Sequence, residues 1–251
     1  MTMQGRLLIS VYAPALEGDD GRALAAVREM ERALPGLRLE WEVSKQGRPI
    51  ALHQRDAWVA EAARRGEFPL LCNGDESNPV TITGLRRPAS LIPGGQPQLQ
   101  VHAKLPLDAL TLMAASNVLE GVAKGTQAFW GHASPKGFGS EVAQQMRSAP
   151  HGPEYSPRGL PMLTPPDEIR SPEIPHYLGW LNYWSAATAR TLGFPDAARD
   201  AELMSRARRT ATGGWVVQLT DTPLDFNTPA HLAALLRAYE RFPGIGGRSV
   251  R

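Results

Sequence analysis

Leu37-Arg38-Leu39-Glu40-Trp41-Glu42-Val43 alternates apolar and charged side chains without a break. A period of two puts one set on each face of an extended chain, so the segment reads as a strand with one face buried and one wet. Gln98-Leu99-Gln100-Val101-His102-Ala103-Lys104 repeats the pattern, with Leu99, Val101 and Ala103 facing inward. Between these two lie apolar strands at 68–72 and 80–85. Short turns with no helical crossover join them, which favours antiparallel pairing.

Working outward, residues 7–12 form a further strand. Asp19 and Asp20 then offer N-caps to a helix ending at Leu34, with Ala23, Val27, Met30 and Leu34 on one face. A short helix spans 55–65. A long one spans 107–130, striped by Leu112, Ala115, Leu119, Val122, Thr126 and Phe129. This order predicts an α+β domain over 1–146, a mostly antiparallel sheet covered by helices.

Residues 147–176 hold eight prolines, too many for a helix or a central strand. They read as an extended connector draped over the first domain. The C-terminal part, 177–251, reads as helices at 177–192 and 197–209, a strand at 214–220, and a last helix capped by Thr228 with Pro229 at its first position. With few strands of its own, it is expected to pack onto the first domain as one unit.

The charges nearly cancel, with 27 Lys and Arg against 25 Asp and Glu, and they are spread evenly along the 251 residues. That argues against a nucleic-acid footprint. A single cysteine excludes an internal disulfide and a cysteine-rich zinc site. The apolar run near the N-terminus is too short for a signal-peptide core, and no stretch approaches a bilayer span, so the expected location is cytoplasmic.

Catalytic patterns are missing from the sequence. The six histidines show no metal-ligand spacing, and there is no nucleophile elbow and no phosphate loop. Cys72-Asn-Gly-Asp-Glu76 places a thiol beside Asp75 and Glu76, which would disfavour a thiolate. It reads as a buried cysteine ending a strand, followed by a polar turn. Trp180 and Trp184 are four residues apart and would share a helix face, either in the core or as a binding hot spot.

The segment Phe68-Pro-Leu-Leu-Cys-Asn-Gly-Asp-Glu76 with Val80-Thr-Ile-Thr83 resembles the strand–Asn-Gly–strand centre of bacterial polymorphic-toxin immunity proteins, in particular the immunity protein fifty-two family. Ala128-Phe-Trp-Gly131 resembles that family's helix closing on an aromatic pair. Tyr177-Leu-Gly-Trp-Leu-Asn-Tyr183, Gly213-Gly-Trp-Val-Val217 and Thr220-x-x-Pro223 resemble the C-terminal part of this and related type VI secretion immunity families. Cys72 stands where the family has Trp. The resemblance implies a non-enzymatic protein that neutralises a cognate protein toxin by binding it, without cofactor or metal. Glu40, Glu42, Asp75 and Glu76 are then candidate steering charges, and Tyr183 and Trp184 candidate anchors. The alternatives are a hydrolase-like enzyme using Asp75 or Glu76 with a histidine, or a scaffold associating through an apolar patch around Trp180.

Overall fold

A computed structural model describes residues 5–18, 20–44, 46–146 and 156–248. In chain order the elements are β1 (Arg6–Pro14), α1 (Arg22–Ala33), β2 (Trp41–Val43), β3 (Pro49–Ala51), α2 (Arg55–Arg64), β4 (Leu71–Cys72), β5 (Thr81–Arg87), β6 (Gln98–Pro106), α3 (Ala109–Thr126), β7 (Trp130–Pro135) and α4 (Phe138–Gln145). After the proline-rich stretch come β8 (Leu181–Trp184), α5 (Ala186–Leu192), α6 (Ala201–Met204), β9 (Ala207–Arg209), β10 (Trp215–Gln218) and α7 (Pro229–Arg241). The ten strands form one sheet in the order β3-β2-β4-β5-β6-β1-β7-β8-β10-β9. Its pairings are antiparallel throughout. The expected α+β class, an antiparallel sheet with packed helices, is what the chain adopts.

Two rows of residues across the sheet explain its layering. Leu71, Ile82, Ala103, Ile9, Ala133 and Leu181 are register partners from six successive strands, and each is at most 1% exposed. This row belongs to the apolar core. The next row points to the opposite face and runs Thr83, His102, Ser10, His132, Asn182. Alternation along each strand therefore sorts an apolar face from a polar one.

Helices α1 and α3 pack closely against each other and bury Ala23, Ala26, Val27 and Met30 from α1. Gly125 of α3 sets that approach, because a Cβ there would lie 2.5 Å from the Ala26 backbone. The Asp108 carboxylate caps α3, accepting from the Thr111 amide at 2.8 Å. At the start of α1 the N-cap is Gly21 and not the expected Asp20, which lies one residue earlier and accepts from the Arg22 amide at 3.0 Å; Asp19, the other expected cap, lies outside the described residues.

Several expectations are corrected. The 177–192 segment is not one helix. Residues 181–184 pair with β7 on one side and β10 on the other, and only Ala186–Leu192 is helical. All four strand residues are buried, so no polar alternation marks them, and pairing overrides the four-residue Trp spacing. The 197–209 segment likewise keeps only the short α6 before pairing as β9. The long helix stops at Thr126, with Gln127 left-handed (φ 55°), because Trp130–Pro135 adds to β1 as a strand. The alternating segment at 37–43 pairs only over Trp41–Val43. Of the proline-rich stretch, residues 147–155 lie outside the described residues. From Ser156 on, it lies against the rest of the chain, with the Leu163 amide donating to the Gln145 carbonyl at 2.9 Å and the Gly94 amide to the Ile169 carbonyl at 2.8 Å.

Candidate functional site

The turn after β4 is built by its own polar side chains. The Asn73 carboxamide oxygen accepts from the Val80 amide at 3.0 Å, and its nitrogen donates to the Asn78 carbonyl at 3.2 Å. Asp75 accepts from the Ser77 amide and hydroxyl at 2.8 and 2.6 Å and from the Asn78 amide at 3.1 Å. These bonds, the Ser77 hydroxyl first, hold its carboxyl below the usual range. Gly74 (φ +74°) sits against the Trp41 indole, where a Cβ would be 2.6 Å from the ring. Cys72 is buried beneath, as the sequence suggests.

The expected acidic residues fall into separate places. Asp75 and Glu76 are exposed and line one small recess with Val43 and Cys72. Glu40 is exposed but lines a different recess, with residues 52–57. Glu42 is half-buried and lies between Ile50 and Leu71 in the sheet register. Tyr183 and Trp184 are core residues, 4% and 1% exposed. Trp184 packs edge-on against Phe194 and Phe242, with centroids 5.1 Å away in both cases. Trp180 is also buried and donates its Nε1–H to the Thr220 carbonyl at 2.8 Å. In this fold their surface is spent on the interior.

The sheet end that carries the 73–80 turn carries other exposed groups. Cys72, Thr81, Lys104, Leu8 and Ser134 are register neighbours, so this turn lies at the same end as the termini of β6 and β7. The chain leaves β6 there to enter α3, whose first turns project Leu110 and Met113, both 72% exposed. A groove of about 530 Å³, which Leu110 and Met113 do not line, is walled by Leu107, Leu112, Phe138 and Phe226 and edged by the Arg158–Glu141 ion pair.

On the polar sheet face a hydrogen-bonded chain is buried that the sequence did not disclose. Gln100 Nε2 donates to the Tyr12 hydroxyl at 2.9 Å, Tyr12 and Tyr177 hydroxyls are 2.9 Å apart, and Tyr177 is 2.9 Å from His132 Nε2. If each hydroxyl donates onward, His132 accepts at Nε2 and carries its proton on Nδ1. Burial pushes Tyr12 up to about 12, raises Tyr177 further above its ordinary value, and depresses His132 to about 3. All three are therefore neutral near pH 7. Next to them Ser10 Oγ and His102 Nδ1 are 2.9 Å apart. The polar positions of β6 show in the sequence as alternation; Tyr177, at the start of the C-terminal part, carries no such signal.

Above this chain is a cavity of about 240 Å³ between the sheet, the 91–93 loop and α4. Trp130 forms part of its wall, stacked on Tyr12 at 3.9 Å. Among the described residues, no cluster of three or more His, Cys, Asp or Glu is placed to hold a metal ion, and no helix is long and apolar enough to cross a membrane.

Residues 18–250 match the family model described as "Domain of unknown function (DUF5953)". No curated protein matches the chain. Among solved structures the chain is similar to "Pseudomonas aeruginosa T6SS protein PA0821", with TM-score 0.54 and 16% identity over 96% of this chain and 74% of that one. At that identity the likeness is one of fold.

Proposed function

The chain belongs to the DUF5953 family, and from that premise we propose that it is a cytoplasmic immunity protein, binding and neutralising a cognate toxin of a bacterial secretion system. The observation that carries the reading is that an exposed acidic turn and two strongly exposed apolar side chains occupy the same end of the sheet. Asp75 and Glu76 supply charge that steers a basic partner, with Glu40 and Glu42 at the flank. Leu110 and Met113 offer the apolar contact, since large exposed apolar groups rimmed by polar ones mark association surfaces. Tyr183 and Trp184, buried at the opposite end of the sheet where β8 pairs with Trp130 and Gly131, take no part in this surface. The fold shared with a protein titled as belonging to a type VI secretion system supports the same reading.

The test is growth of cells expressing the product of the gene adjacent to this chain's own, with and without this chain. The chain should restore growth and co-purify with that product, and Leu110→Asp with Met113→Asp should remove both effects while leaving the fold intact. A toxic neighbour that kills equally in the presence of the chain would overturn the reading.

A further inference from the structure

We propose that the cavity between the polar sheet face and the 91–93 loop is a binding site for a small organic carboxylic acid with an apolar body. Arg87 lines this cavity, and its guanidinium has no hydrogen bond or ion pair with any described residue. The other described half-buried arginines pair with a carboxylate or, as Arg6 and Arg248 do, donate to backbone carbonyls, whereas the Arg87 guanidinium does neither. Among the described residues no acidic one lines the cavity, and the other titratable groups there are Tyr12, Tyr177 and His176. His176 is held neutral by burial, and its Nε2 is 3.1 Å from the Thr164 carbonyl. The Arg87 charge is felt at the site, drawing the Tyr12 hydroxyl down against burial and opposing protonation of His102.

Trp130 contributes its ring to the wall while its Nε1–H is buried away from the open space, so the Arg87 guanidinium is the charged donor the cavity offers. The remaining wall, including Ile92, Val142 and Met146, is apolar and suits a hydrocarbon body. The volume corresponds to about eight waters of liquid, enough for a benzoate-sized molecule. One guanidinium fork matches one carboxylate, whereas phosphate would want more donors than this wall provides. The site stands independently of toxin binding, which uses the other end of the sheet.

Binding of benzoate and isovalerate to the full chain, followed by tryptophan fluorescence and thermal unfolding near neutral pH, tests the site. Both acids should bind saturably and raise the melting temperature. Benzamide, the neutral isostere, should bind about tenfold or more weakly than benzoate, as should benzoate to Arg87→Gln. Arg86→Gln, on the other face of the same strand, should bind as the unaltered chain does. If Arg87→Gln fails to fold, Arg87→Lys and the benzoate–benzamide comparison still decide. Absence of saturable binding by both acids, equal binding of benzamide, undiminished binding by the Arg87 variants, or inorganic phosphate binding as tightly as benzoate would each overturn the proposal.

Discussion

The hydroxyls of Tyr12 and Tyr177 lie 2.9 Å apart, joining a central strand to a residue 165 positions later in the chain. Each has a further partner, Gln100 for Tyr12 and His132 for Tyr177, so the pair is the middle of a continuous buried chain. Such a chain is worth keeping whole, because an interrupted one leaves buried polar atoms without water or partner.

Tyr177→Phe removes the middle hydroxyl, leaving Tyr12 with Gln100 but no acceptor for its own proton and His132 Nε2 without a partner. The expected loss is about 1–3 kcal/mol in urea unfolding, with the sheet retained by far-UV circular dichroism. Tyr12→Phe combined with Tyr177→Phe should cost less than the two single losses added together, since the second change removes a group already without an acceptor.

Acid should weaken the fold well above the carboxylate range. His132 is depressed to about 3, by burial first and then by the charge of His102, against about 6.5 in the unfolded chain. The unfolded state therefore takes up the proton first as pH falls. Stability is full above about pH 6.5 and declines toward pH 3, by about 2 kcal/mol from His132 alone at pH 5. His102 and His176 are shifted in the same direction and add to the slope. Denaturant melts at pH 7 and pH 5 should show the decline, and His132→Gln should flatten it.

Gly125→Ala should destabilise although alanine is the better helix former. The new methyl meets the Ala26 backbone, which cannot swing aside as a side chain could. Overpacking of about 1–3 kcal/mol outweighs a helical gain of about 1 kcal/mol. A thermal midpoint raised by the substitution would show that α1 yields freely.

Asp200 is fully buried and accepts from Arg241 at Nε (2.5 Å) and Nη2 (2.9 Å) and from the Asp196 amide (2.6 Å). Arg241→Met leaves that carboxylate without its cation, at an expected cost of about 3–5 kcal/mol. Adding Asp200→Leu should recover part of the loss, as calorimetry of the three variants would establish.

Legibility of the fold in the sequence followed how sharply burial differed between a strand's two faces. β6, apolar on one side and polar on the other, announces itself by alternation, whereas β1 shows through its apolar run Leu7-Leu8-Ile9. β8 is buried on both sides, so Leu181-Asn182-Tyr183-Trp184 carries no period to read. The same burial removed Tyr183 and Trp184 from the surface. The acidic turn was visible because Asn73, Gly74 and Asp75 build it locally. The Tyr12–Tyr177–His132 chain was hidden for the opposite reason. Its members come from three remote segments, and nothing near any one of them in sequence signals the others.

β8 lies beside β7 and between it and β10, in the interior of the sheet. While the protein is being synthesised, the seam beside Trp130 must stay open until the ribosome has delivered Trp184. During that interval β7 presents an unsatisfied backbone edge to whatever else is in the cell. Nascent chains halted before residue 181 should thus be the aggregation-prone species, and a chaperone with access to them would govern yield more than one acting on the finished molecule.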